Sequence, residues 1–184
     1  MLRSLSPALS QVSTHSLRRA LRGAAPVAAG SLLVALSARV AVPLPFSPVP
    51  ITGQTLVVLT LAGLLGRRSA ASVALYLGAG ALGLPVFAAR GAGLAGPTGG
   101  YLVGFAAAAW LAGWLAERSG KSWLRLVLAL VLGQAAIYAC GLLWLSRFVP
   151  APRLLVAGLY PFLIGDAYKL VAAFFLVWRL RPRN

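Results

Sequence analysis

Two charged residues stand where charge is costly. In Tyr160-Pro-Phe-Leu-Ile-Gly-Asp-Ala-Tyr-Lys169, Asp166 and Lys169 lie three residues apart at the head of the apolar run Leu170–Trp178. Helical spacing puts them on one face, so a carboxylate and an ammonium can serve the same spot. The chain has only two acidic residues, Glu117 and Asp166. An ionisable group beside hydrocarbon is a functional-site candidate by default. Its chemistry would be recognition: the carboxylate accepts from ligand N–H donors, and the ammonium meets an anionic group. An internal ion pair that merely locks the last helix is the other reading. Covalent or metal chemistry has little to work with, since Cys140 is isolated in an apolar run and His15 stands in the N-terminal stretch. An intramembrane enzyme would need an activated nucleophile or a ligand cluster. No catalytic residue, metal or cofactor is expected.

The elements that must hold this pair are those of an integral membrane protein. Hydrophobic residues make up 60% of the chain, charged residues 10%, and the mean hydropathy is +0.86. A soluble domain carries about 25% charged residues. The net charge of +15 does not indicate nucleic acid, because the basic residues punctuate apolar runs instead of forming one stripe. A length of 184 residues allows one helical bundle in the lipid bilayer and no separate soluble module.

Residues 1–23 are Ser-rich and carry Arg3, Arg18, Arg19 and Arg22 without any acid. That composition resembles a transit peptide, and also a cytoplasmic tail of a bacterial membrane protein, which is what is expected here. The membrane domain is expected over 24–184. Its first span, Ala24–Val42, shows small residues at helical spacing, including Ala28, Ser31 and Ala35. Such a face lets helices approach closely, either a partner's or its own neighbours. Pro43–Pro50 has a proline every few residues and reads as an extended loop leading to Gln54 and a second span that ends near Gly66. Arg67 and Arg68 turn the chain into a third span, Ser69–Leu84. The stretch Ala88–Tyr101 is glycine-rich but matches no phosphate-binding motif. It suits sharp bends and close approach, with Arg90, Thr98 and Tyr101 able to hydrogen-bond. A fourth span covers Leu102–Leu115, and a fifth, Leu124–Leu145, carries Gln134 and Tyr138 on adjacent turns. After a loop at Arg147–Arg153 the sixth runs from Phe162 to Trp178.

The expected fold is therefore an all-α bundle of six transmembrane helices, and charge orients it. The tail and the even-numbered turns carry Arg3, Arg18, Arg19, Arg22, Arg67, Arg68, Arg118, Lys121, Arg125, Arg179, Arg181 and Arg183. The odd-numbered loops carry Arg39, Arg90, Arg147 and Arg153. Twelve against four puts both termini in the cytoplasm of a multi-pass cell-membrane protein. The Pro-rich loop, the Gly-rich loop and the Asp166/Lys169 helix head then share the outer face. Irregular backbone is tolerated there where it lines a cavity, so a ligand pocket opening outward is expected. It would pair an anionic ligand group with Lys169 or Arg90, and ligand N–H donors with Asp166.

Four ordered segments carry a resemblance. Pro45-Phe-Ser-Pro-Val-Pro-Ile-Thr-Gly-Gln-Thr55, Gly80-Ala-Leu-Gly-Leu-Pro-Val-Phe87, Gly96-Pro-Thr-Gly-Gly-Tyr101 and Gly165-Asp-Ala-Tyr-Lys169 are similar to the signature segments of the BioY family. These proteins are the biotin-binding S components of energy-coupling factor (ECF) transporters. The similarity runs from Ala24 to Arg181. It implies a biotin site near the outer face, and coupling to a transmembrane T component and two cytoplasmic ATPase subunits. It assigns Asp166 and Lys169 to the family's Gly-Asp-x-x-Lys motif and places Gln54 and Tyr101 in matching motifs. Some members have an Asn in the Gly-rich loop and an Arg after Gly-Gly-Tyr, where this chain has Arg90-Gly91 and Leu102. An S component for another vitamin, such as thiamin or riboflavin, and an intramembrane enzyme are the competing functions.

Overall fold

A helix that is apolar all the way round must be buried in a large core or in lipid, and most of this chain consists of such helices. A computed structural model of the chain describes residues 23–88 and 93–181. The basic tail and His15 lie outside the described residues. In order come α1 (Gly23–Ser37), strands β1 (Ala41–Leu44) and β2 (Ser47–Thr52), and helices α2 (Gln54–Leu65) and α3 (Ser69–Ala81). Then follow α4 (Gly99–Glu117), α5 (Trp123–Leu145), the short α6 (Leu154–Gly158) and α7 (Tyr160–Leu180). The helical stretches Gly99–Glu117, Trp123–Leu145 and Ala151–Leu180 are long and apolar enough to cross a membrane. So is Gln54–Ala81, but Gly66 divides it, and Gly23–Ser37 is apolar but shorter.

Gly66 stands at φ +60°, where a side chain is strained, and a Cβ there would run into Glu117. The chain turns at this glycine and α3 folds back along α2. Gln54 Nε2, at the start of α2, donates to Tyr76 Oη, late in α3, at 2.7 Å. At the turn, Glu117 accepts from the Arg67 backbone N–H (2.9 Å) and from its Nε (2.8 Å). Arg181 donates to Ser119 Oγ at 2.8 Å, which fastens the end of α7 to the α4–α5 turn. The long helices thus run up and down between two ends. One carries Arg67, Glu117, Ser119 and Arg181, and is called here the basic end; the other carries the two strands.

Close approach of α4 and α5 holds the middle together. A Cβ at Gly104 would lie 2.9 Å from Ile137 Cα, and one at Gly133 would lie 2.8 Å from Ala112 Cβ. Small residues at such contacts bring backbones together and gain dispersion along the helices. The buried side chains form two groups. Val58, Val73, Tyr76, Tyr101, Phe105, Ile137 and Phe162 belong to the group nearer the strands. Leu59, Ala62, Ala112, Ala116, Leu126, Leu130, Ala173 and Val177 fill the half toward the basic end.

Several boundaries differ from the expectation. The first helix ends at Ser37, not at Val42. Ser37 Oγ turns back onto the Val34 carbonyl (2.8 Å), and the chain then becomes extended. The Pro-rich stretch is an antiparallel hairpin in the register Ala41↔Thr52, Val42↔Ile51 and Leu44↔Ser47. Both strands of a two-stranded sheet are edges, so prolines with no N–H to offer are accommodated. The fourth helix begins at Gly99, which takes Tyr101 out of the loop and into the first turn. Its glycines are helical because α5 leaves no room: a Cβ at Gly100 would strike Trp144 and the Cys140 carbonyl. Part of the expected loop after α5 forms a 3-10 turn at Ala151–Arg153 that leads into α6.

Candidate functional site

Three helices converge on one carboxylate. Asp166, in the second turn of α7, is 5% exposed. Its Oδ1 accepts from Thr55 Oγ1 at 3.1 Å and from Lys169 Nζ at 2.7 Å. Its Oδ2 accepts from Gln134 Nε2 at 2.9 Å and from Tyr138 Oη at 2.7 Å. The local sequence explains the convergence. Lys169 follows Asp166 by three residues on α7, Gln134 and Tyr138 sit one turn apart on α5, and Thr55 is in the first turn of α2. Taking a carboxylate and an ammonium out of water costs several kcal/mol per ion unless both are paired and hydrogen-bonded. Here the four donors match the roughly four lone-pair sites of a carboxylate.

The cluster forms the head of a cleft of about 580 Å³, counting the space at its mouth. Val49, Pro50 and Thr52 of β2 make part of the rim; Leu102, Phe105, Ile137 and Phe162 make apolar walls. Phe87 lines it too, standing edge-on to Tyr76 with centroids 5.4 Å apart, in space that Gly80 leaves free. Tyr101 lines the cleft and donates from its hydroxyl to the Gly158 carbonyl at 2.6 Å. The neighbouring Ala157 carbonyl accepts from Ser47 Oγ at 2.6 Å, which ties α6 to the hairpin. Trp144 Nε1 holds the Gly96 carbonyl at 2.9 Å, just ahead of α4. Apolar walls with a few placed polar groups suit a small organic ligand. Among the described residues no group of three or more His, Cys, Asp or Glu could hold a metal ion.

Gln54, Thr98, Tyr101, Asp166 and Lys169, all expected from sequence, line this one cleft. Arg90 lies outside the described residues. Sequence alone does not assign Thr55, Gln134 and Tyr138 to the site; the two polar residues on adjacent turns of α5 are the signal for it. The small-residue face of α1 is divided. Ala28 is exposed, but Ser31 is buried and Ala35 half-buried in the bundle. A Cβ on the neighbouring Gly30 would meet Ser72 of α3 and Leu61 of α2, so that side of α1 is an internal contact.

Fold and site together define a bundle of membrane-type helices with a cleft at one end that suits a small molecule. Comparison with known proteins is in keeping with that class. A model of the BioY family matches residues 9–184, and the chain belongs to this family. It is similar to the biotin transporter BioY of Thermotoga maritima, 39% identical over 154 residues that cover 81% of this chain and 89% of the relative. The biotin transporter BioY of Rhizobium etli is 36% identical over 160 residues, covering 78% and 83%. Among solved structures, the crystal structure of the S-component for biotin from an ECF-type ABC transporter superimposes with a TM-score of 0.79. It is 25% identical, and the match covers 89% of this chain and 92% of that one.

Proposed function

We propose that this chain is the biotin-binding S component of an ECF transporter, a carrier that captures its ligand without covalent chemistry. The observation that carries the reading is where the four motif segments meet. Gln54 and Thr55 come from the first, Phe87 from the second, Thr98 and Tyr101 from the third, Asp166 and Lys169 from the fourth, and all line one cleft. Biotin offers a cyclic urea with two N–H donors, an apolar tail and a carboxylate. The Asp166 cluster suits the first and the aromatic and aliphatic walls the second. Purified protein titrated with biotin, thiamin and riboflavin, with thermal unfolding as readout, should be stabilised by biotin alone. Binding at 100 times the dissociation constant stabilises by about 2.7 kcal/mol. A shift with thiamin or riboflavin in place of biotin would reassign the ligand.

The bundle is proposed to cross the cell membrane six times with both termini in the cytoplasm. The support is the clustering of Arg67, Arg68, Arg118, Lys121, Arg125, Arg179 and Arg181 at the basic end, against Arg39, Arg147 and Arg153 near the strands. The helices α2 and α3, of 12 and 13 residues, are short for the ~20 of a crossing. The hairpin and the irregular segments at the cleft would complete the depth, as backbone that lines a cavity can. Reporters fused after Arg68 and at the C-terminus should read inside, and one at Phe46 in the hairpin outside. An outside C-terminus would overturn the orientation. A T component and two ATPase subunits are the proposed partners, with the exposed side of α1, Ala28 included, facing the T component.

A further inference from the structure

The direction of every hydrogen bond at Asp166 is fixed, because a carboxylate paired with an ammonium can only accept. Thr55 and Tyr138 must therefore turn their hydroxyl protons toward Asp166. Both residues also line the cleft. With its single proton committed, each hydroxyl oxygen has only acceptor capacity left for whatever enters. Gln134 shows how strongly the carboxylate imposes this polarity. Its amide NH2 faces Asp166, and its Oε1 is left buried with no hydrogen-bond partner. Flipping the amide would put its oxygen against the carboxylate, so the NH2 must face Asp166. Lys169 gives one of its three N–H donors to Asp166 and lines the same cleft. Two hydroxyl acceptors and an ammonium thus surround one carboxylate.

We propose that Tyr138, with Thr55, is a specificity-determining residue: the two hydroxyl oxygens receive the two ring N–H groups of the ligand, and Asp166 sets their polarity. The assignment rests on the biotin reading above. A cyclic urea carries a carbonyl between two N–H donors, the complement of two acceptors and an ammonium. A ring lacking paired N–H groups leaves these oxygens unsatisfied in a desolvated site, which is how polar sites reject near-isosteres.

The test is a cycle between protein and ligand. Wild type, Tyr138→Phe and Thr55→Val are titrated in detergent with biotin and with the two cyclic carbamate analogues, in which one or the other ureido N–H is replaced by a ring oxygen. Wild type is expected to bind each carbamate about tenfold more weakly than biotin, the scale of one lost hydrogen bond. Tyr138→Phe should bind biotin about tenfold more weakly and no longer distinguish biotin from one of the two carbamates. Thr55→Val should lose discrimination against the other. If both variants keep the wild-type ratios, the hydroxyls do not read the N–H groups and the proposal fails while the biotin reading stands. If wild type binds no biotin, the reading itself fails. Should Tyr138→Phe not fold, the ratios for Thr55→Val decide the outcome alone.

Discussion

Asp166→Asn is expected to abolish ligand binding at micromolar concentrations and to lower the unfolding temperature of the ligand-free protein. The carboxylate collects four donors on two oxygens. An asparagine can offer one oxygen to one pair of donors, and must turn its own NH2 toward the other pair. Lys169, whose side chain is 19% exposed, would also lose its counter-charge. Breaking a buried pair by removing one partner costs about 3–5 kcal/mol, and partial exposure of the ammonium puts this case toward the lower end. The double variant Asp166→Asn/Lys169→Met removes the stranded charge. It should recover part of the stability in thermal unfolding, but none of the biotin affinity in titration. If the single variant is destabilised and its folded fraction still binds normally, the pair is a lock on α7 and the site argument collapses.

Gly104→Leu should have an equally large effect at a position that does not line the cleft. The Ile137 Cα and carbonyl oxygen lie 2.9 and 3.0 Å from where a Cβ would stand. Backbone cannot rotate aside, so the side chain must push α4 from α5. Overpacking typically costs about 1–3 kcal/mol, and a whole leucine at a backbone contact belongs at the upper end. Because α4 carries Tyr101 and Phe105 and α5 carries Ile137 and Tyr138, separating them also takes the cleft apart. The expected result is low folded yield and no detectable biotin binding. Gly78→Ala is the control: nothing lies within 4 Å of its Cβ position. Removing a glycine from the last turn of α3 should leave stability unchanged or raise it by up to about 0.5–1 kcal/mol. Wild-type binding by Gly104→Leu would show that the two helices are not held by this contact.

Much of this architecture is legible in the sequence because lipid imposes long apolar runs, and prolines, glycines and arginines mark where they stop. The same constraint makes an acid beside such a run conspicuous, which is why Asp166 and Lys169 stand out. Helix ends are harder to read. The glycines at 99 and 100 look like loop residues until the closeness of Trp144 explains them as packing. Prolines at 43 and 45 exclude helix, but the pairing that makes a hairpin depends on residues several positions downstream. The partnership of Gln134 and Tyr138 with Asp166 depends on which face of α5 meets α7, and that is set by the whole bundle. For α1, spacing alone identifies a small-residue face, but not that Ser31 is buried within the bundle while Ala28 stays exposed.

The hairpin and α6 are fastened differently from the basic end, and this bears on how long a ligand would stay. At the basic end the α2–α3 turn, the α4–α5 turn and the end of α7 are joined through Glu117 and Ser119 over a packed half-core. At the other end, the hairpin and α6 are linked by a hydroxyl-to-carbonyl bond from Ser47, while Tyr101 anchors α6 to α4 by another. Amides of the hairpin should therefore exchange with solvent through small local openings, and those of the half-core only through much larger ones. A molecule seated in the cleft would touch both the β2 rim and the helical walls. Release of those two carbonyls by Ser47 and Tyr101 would free α6 from the hairpin and from α4 without opening the half-core, a local step on which the dwell time would depend.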